Sequence, residues 1–126
     1  MKIQESAQDY LEAILILSQE KEYVRAADIC SYFGYARATV SVYLKQLKEN
    51  NYVEVDEKNH ITLTETGREI ADEMYDRHTV LTKIFEHIGV PEEVAIEDAC
   101  RVEHYISATT FRALKEHFEA CTKGEE

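Results

Sequence analysis

A chain of 126 residues, 44% of them hydrophobic, can fill one compact domain or a small domain with an appended helical half, which excludes a disordered tail-like protein. Its formal net charge of −11 argues at first against a nucleic-acid partner, because affinity for phosphate backbones comes largely from Lys and Arg. No apolar run approaches the length of a membrane span, no basic-then-apolar leader stands at Met1-Lys2-Ile3-Gln4-Glu5, and the three cysteines Cys30, Cys100 and Cys121 are too sparse for a disulfide framework, so a soluble cytoplasmic protein with reduced thiols and no membrane partner is expected.

The first predicted helix opens at Ser6-Ala7-Gln8-Asp9, which resembles a capping box with Asp in place of Glu, and runs to about Glu20 with Tyr10, Ala13, Ile14 and Leu17 as its buried stripe. Asp9 and Glu12 stand one turn apart on it. An acid in the first turn is stabilised by the backbone N–H groups and the macrodipole without any ligand, so Asp9 alone points to nothing more.

After the polar break at Gln19 to Glu22, a short helix is predicted from Ala26 to Phe33, with Ala27, Ile29, Cys30 and Phe33 on its apolar side and Gly34 ending it. A second runs from about Arg37 to Asn50, with Val40, Leu44 and Leu47 inward and Thr39, Ser41, Lys45 and Lys48 outward. Two short helices joined by a tight turn, the second carrying small polar and basic residues, have the pattern of a helix-turn-helix. The charge distribution agrees. Residues 21–50 carry Lys21, Arg25, Arg37, Lys45 and Lys48 against Glu22, Asp28 and Glu49, a local excess of +2, whereas residues 86–126 carry ten acids against four bases.

Tyr52 to Val55 and His60 to Leu63 read as the two strands of a hairpin turning at Asp56 to Asn59, and helix, helix, hairpin is a winged helix. Thr66-Gly67-Arg68-Glu69 reads as a capping box for a long helix to about His87, with Ile70, Ala71, Met74, Leu81, Ile84 and Phe85 apolar; Gly89-Val90-Pro91 breaks it. A helix from about Pro91 to Ser107 and another from about Ala108 to Ala120 complete a mainly α chain, with a winged helix-turn-helix over 1–70 and a C-terminal helical region over 71–126. Phe111, Leu114 and Phe118, with Ile88 and Val90, offer more apolar surface than that half can hide alone, which predicts a homodimer.

The chemistry is concentrated between Glu97 and Tyr105. If this stretch is helical, Cys100, Glu103 and His104 emerge on one face as a thiolate, a carboxylate and an imidazole, a donor set that suits a divalent transition metal. Asp9, Glu12 and His78 are the further donors able to close such a site. The competing reading is a buried structural thiol beside a solvated Glu-His pair.

Asp9-Tyr10-Leu11-Glu12, Ala27-Asp28-Ile29, Thr39-Val40-Ser41, Leu63 to Arg68, Arg77-His78, Ile88-Gly89-Val90 and Ala99 to His104 together resemble the diphtheria toxin repressor family of metal-dependent transcriptional regulators, including its manganese branch. The resemblance covers nearly the whole chain. It implies a homodimer with an N-terminal winged helix and a helical metal-binding region; the chain ends too early for the SH3-like third domain of some members. By matching positions, the implied metal ligands are Asp9, Glu12, His78, Cys100, Glu103 and His104. The set is a hybrid: Asp9 and Glu12 look like the manganese branch, which has a glutamate at the position of Cys100, whereas Cys100 with Glu103 and His104 looks like the iron branch, which has a methionine at the position of Asp9. The iron branch's ancillary site is incomplete, with Thr82 and Ile96 at its acid and histidine positions.

Members often enter the reading helix through Ser or Pro, where this chain has Ala36-Arg37-Ala38. Arg37 and Thr39 therefore become candidates for DNA contact, together with Arg25, Ala36, Ser41, Lys45 and Lys48; Val42 either touches a thymine methyl or is buried. The expected function is a repressor of metal uptake, binding a double-stranded DNA operator, with Mn(II) or Fe(II) as activator and Co(II) or Zn(II) binding in vitro. Its expected mechanism is a metal-favoured spacing of the two reading helices of about one helical turn, roughly 34 Å. The alternatives are a winged-helix regulator that senses no metal, and a metal hydrolase using Glu103 or Glu12 as base. No nucleophile elbow, phosphate loop or zinc-protease helix supports an enzyme.

Overall fold

Tyr10, Leu11, Ala13, Ile14, Leu15 and Leu17 leave little of a helix to show to water, and α1 (Glu5–Glu20) is the central helix of the first core. The computed structural model describes residues 5–123; Met1 to Gln4, read above for a leader, lie outside the described residues. Helix α1 is already formed at Glu5, so Ser6 lies within it and is not the cap expected there. Asp9 accordingly falls in the second turn, where support from the macrodipole has faded.

Helix α2 (Ala26–Phe33) starts where Asp28 turns back on the chain: its carboxylate accepts the Arg25 backbone N–H at 2.8 Å and the Lys21 ammonium at 2.8 Å. These two donors, Lys21 foremost, hold the Asp28 carboxyl below the usual carboxylate range. Gly34 ends the helix in the left-handed region at φ 75°, donating to the Cys30 carbonyl at 2.8 Å. Helix α3 (Arg37–Glu49) follows, with Val40 and Leu47 buried. Ala27, expected on the apolar side of α2, is exposed and Ala26 is half-buried instead, because the buried side centres on Ile29. Where α1, α2 and α3 meet, the Tyr10 ring packs 5.1 Å from Phe33 and 5.0 Å from Tyr43, and burial, with the neighbouring Tyr35 and Tyr43, pushes its hydroxyl up to about 12.

The hairpin pairs β1 (Val53–Val55) with β2 (Ile61–Leu63) antiparallel, Val53 opposite Leu63 and Val55 opposite Ile61. Alternation puts Val53 and Ile61 into the core and Glu54 and Thr62 into water. Ile61 also donates its N–H to the Val24 carbonyl at 2.7 Å, tying the wing to the segment before α2.

Helix α4 (Glu65–His87) is capped two residues earlier than the sequence suggests: Thr64 Oγ1 accepts the Gly67 N–H at 3.1 Å, while Thr64 donates its own N–H to the Tyr52 carbonyl at 3.0 Å. Thr66 lies inside the helix. A Cβ at Gly67 would collide with the Tyr52 carbonyl oxygen, so only glycine lets the helix start this close to the end of α3 and the wing.

The chain divides into two units, residues 1–74 and 75–126, with α4 contributing to both. The second holds the rest of α4, α5 (Glu92–Val102) and α6 (Ala108–Lys123) around Leu81, Ala99 and Phe111, with Val80, Phe85, Val102 and Ile106 packed against them. Helix α5 stops at Val102, five residues short of the expected Ser107. Arg77, buried on α4, donates from Nη1 to the carbonyls of Glu103 at 3.0 Å and Ile106 at 2.8 Å, and its guanidinium lies 5.7 Å from the centre of the Phe111 ring. In a continuing helix the Glu103 carbonyl would accept from residue 107; here Arg77 takes it and Ser107 caps α6, its Oγ accepting the Thr110 N–H at 3.1 Å. No helix among the described residues is long and apolar enough to cross a membrane.

Candidate metal centre and nucleic-acid interface

In the second unit, α4 presents His78 and α5 presents Cys100, and Glu103 stands at the C-cap of α5 with its N–H on the Ala99 carbonyl at 3.0 Å. Cys100 and Glu103 thus keep helical spacing, while His104 lies in the turn beyond the helix. The single helical face expected for all three is replaced by a helix end and a turn, shaped by Arg77. One donor atom each from His78, Cys100 and Glu103 lies within 4.8 Å of the others. Donors around one transition ion stand roughly 3–4 Å apart, so this trio would need at most a small side-chain adjustment to share one ion.

Glu103 is 0% exposed, and neither of its oxygens accepts a hydrogen bond among the described residues. The groups facing them are imidazoles, His78 Nδ1 at 3.2 Å from Oε2 and His104 Nε2 at 3.6 Å from Oε1. A carboxylate removed from water without hydrogen bonds costs several kcal/mol unless a positive charge compensates it, and a divalent cation fits that need with thiolate and imidazole donors at hand. Cys100 is exposed, which overturns the reading of it as a buried structural thiol. Thr82 spends its hydroxyl on the His78 carbonyl at 2.7 Å, and Ile96 is exposed, so neither extends the donor set. Asp9 and Glu12 are carried on α1 in the first unit, Asp9 half-buried and Glu12 buried.

The first unit holds a cleft of about 560 Å³ between α2, α3 and the wing, lined by Arg25, Arg37, Ser41, Lys45, Lys48 and Lys58 among others. Arg37, Ser41, Lys45 and Lys48 recur at helical spacing, so α3 turns one cationic stripe toward it. Ala36 is the N-cap of α3 and is exposed, as is Thr39. Val42 is 56% exposed, which removes the alternative that it is a core residue. Five cations on one cleft answer the objection raised by the overall charge. Lys58 at the wing tip was missed by sequence reasoning, although a basic residue in a hairpin turn following a helix-turn-helix was there to be read. Arg77 was read only as part of a motif; its role in ending α5 has no local sequence signal.

Both halves of the chain match family models: residues 2–61 match the iron dependent repressor N-terminal DNA binding domain, and residues 64–125 match the iron dependent repressor metal binding and dimerisation domain. The HTH-type transcriptional regulator MntR of Geobacillus kaustophilus is 32% identical over 102 residues, covering 81% of this chain and 72% of that protein; MntR of Bacillus subtilis is 30% identical with the same coverage. Among solved structures, IdeR of T. acidophilum is similar at 27% identity with a TM-score of 0.77, over 94% of this chain and 55% of that one. A manganese-dependent transcriptional repressor in complex with manganese is similar at 27% identity and a TM-score of 0.77, over 88% and 51%. The chain therefore spans about half the length of those solved chains. With a winged helix-turn-helix followed by a helical unit, both halves matched and relatives that are transcriptional regulators rather than enzymes, the chain belongs to the iron-dependent repressors, the diphtheria toxin repressor family of metal-dependent regulators.

Proposed function

We propose that this chain is a metal-dependent transcriptional repressor controlling metal homeostasis, acting in the cytoplasm as a homodimer on a double-stranded DNA operator, with Mn(II) or Fe(II) as the activating ion. The observation that supports it most is Glu103, a fully buried carboxylate whose oxygens accept no hydrogen bond among the described residues, beside a thiol and two imidazoles on a chain that also carries a cation-lined cleft. When bound, the ion supplies the positive charge that Glu103 lacks. His78, Cys100 and Glu103 hold it, and His104, Asp9 and Glu12 complete the ligand set that the family resemblance implies. Arg77 holds the Glu103 main chain, so the carboxylate is aimed by the end of α5 rather than by a free loop. Arg37, Lys45, Lys48 and Arg25 bind phosphate, and Ala36, Thr39, Ser41 and Val42 stand where α3 meets bases.

A second reading rests on the same imidazoles. Protonated His78, 3.2 Å from Glu103, would neutralise the carboxylate with no ion, leaving a winged-helix regulator that senses no metal. The two separate on protein purified anaerobically under reducing conditions, with metal content measured and binding to a mixed-sequence duplex compared in chelator, Mn(II) and Fe(II). Metal dependence predicts stoichiometric uptake and at least about tenfold tighter binding with metal, a shift of about 1.4 kcal/mol. Equal affinity in chelator and metal would leave the second reading standing.

A further inference from the structure

The wing carries a cluster that the helix-turn-helix reading does not use. His60 is 7% exposed, and its ring stacks on Tyr23 with centroids 4.1 Å apart and 13° between the planes. Asp56 holds its main chain from both sides: the His60 N–H donates to Asp56 Oδ1 at 2.9 Å, and the Asp56 N–H donates to the His60 carbonyl at 3.1 Å. On the ring, Nε2 lies 3.0 Å from Arg25 Nη2, and Nδ1 lies 3.3 Å from Asp56 Oδ2.

These distances fix the chemistry of the ring. A guanidinium has donors only, so Nε2 must be the acceptor and the hydrogen of the neutral imidazole must sit on Nδ1, aimed at Asp56. The Asp56 carboxyl is held below the usual range, chiefly by the His60 backbone N–H, and stays ionised to receive it. Arg25 itself is the exposed N-cap of α2 and lines the cleft with Arg37, Lys45, Lys48 and Lys58. An exposed arginine at such a position ordinarily samples many rotamers and loses that freedom on binding. This one is anchored by a buried ring from another element.

We propose that His60 is a positioning residue for DNA binding: held by Asp56 and Tyr23, it accepts one N–H of Arg25 and so aims the remaining guanidinium donors at a backbone phosphate in the cleft. The wing thereby acts on DNA through α2 as well as through its own tip. Preorganisation of this kind raises affinity by lowering the ordering cost, without a new contact to the nucleic acid. The inference rests on the DNA-binding reading above.

The experiment compares the full chain with His60→Phe, His60→Gln, Arg25→Ala and the double variant His60→Phe/Arg25→Ala. The probe is a fluorescein-labelled mixed-sequence duplex of about 30 base pairs, long enough for sequence-independent phosphate contacts, read by anisotropy in excess Mn(II) over a range of salt. Phe keeps the stack on Tyr23 but accepts nothing, whereas Gln keeps an acceptor. His60→Phe should weaken binding about five- to tenfold, as expected for the ordering cost of one long side chain, and Arg25→Ala at least about tenfold, as expected for loss of one charge-assisted contact. Each should reduce the salt slope by up to about one unit. The double variant should bind no more weakly than Arg25→Ala, and His60→Gln should recover most of the loss. If the parent binds and His60→Phe either matches it or adds its full loss to that of Arg25→Ala, the role of His60 is overturned while the DNA reading stands; a parent that does not bind overturns both. Should His60→Phe not fold, proton–nitrogen correlation NMR of the parent decides: His60 must be protonated at Nδ1 with Nε2 bare, and a proton on Nε2 overturns the assignment.

Discussion

Cys100 shows how far a single residue can be read. As a letter in the sequence it fits a buried thiol or a ligand equally well, because cysteine is frequent in cores; its exposure beside His78 and buried Glu103 leaves a ligand as the reading with a physical reason. A thiolate is softer than a carboxylate, so Cys100→Ala should weaken binding of every ion, Co(II) more than Mn(II), and Cys100→Glu should shift preference toward Mn(II). Titration of parent and variants with Mn(II), Fe(II) and Co(II) measures this. Unchanged affinity for all three ions in Cys100→Ala would remove the thiol from the ligand set. Affinity itself does not name the physiological ion, since Co(II) and Zn(II) bind a site like this more tightly than Mn(II) or Fe(II) whichever one the cell supplies.

At the scale of elements, most of the architecture was legible because the signals were local: the Gly34 stop after α2, the alternation of the hairpin, and the periodic apolar stripe of α4 each depend on residues a few positions apart. The errors came where a distant group competes for the backbone. Thr64 replaces Thr66 as the cap of α4 because the Tyr52 carbonyl holds its N–H, and α5 ends early because Arg77, 26 residues before Glu103, claims two carbonyls. Of the apolar residues expected to be surplus, Phe111 is buried under Arg77 in the second core and Val90 and Phe118 are half-buried, which leaves Ile88 and Leu114 exposed. The start of α2 carries its own prediction. Asp28 has a folded-state pKa below its unfolded value, so its stabilisation is present above the unfolded pKa and is lost as pH falls through the folded one, that is, below the ordinary value of 3.8. Asp28→Ala should cost about 1 kcal/mol at neutral pH, as loss of a cap does, and the gap between parent and variant should close in acid; thermal unfolding across the pH range measures both.

For the whole molecule, what stays exposed indicates how it associates. Ile88 is 70% and Tyr105 77% exposed, and Val94, Ile96 and Leu114 are also exposed in the second unit, apolar side chains that a partner subunit would cover. Light scattering of the full chain at micromolar concentration should give a dimer, and a monomer there would refute this. Arg37→Ala and Lys45→Ala should each weaken duplex binding and flatten its salt dependence by about one unit, and if neither does, α3 is not the element on the phosphates. The wing sets a different limit. Its two strands share only three residue pairs, extended by the Val24–Ile61 bridge, whereas α1 is buried along most of its length. Ladders this short open with far less free energy than a core helix, so amide hydrogens of Val53 to Leu63 should exchange with deuterium orders of magnitude faster than those of Leu11 to Leu15. Adding duplex and metal should slow exchange in the wing while leaving α1 near its existing protection, which would show in minutes of labelling that a segment opening more easily than α1 is steadied where it meets the duplex.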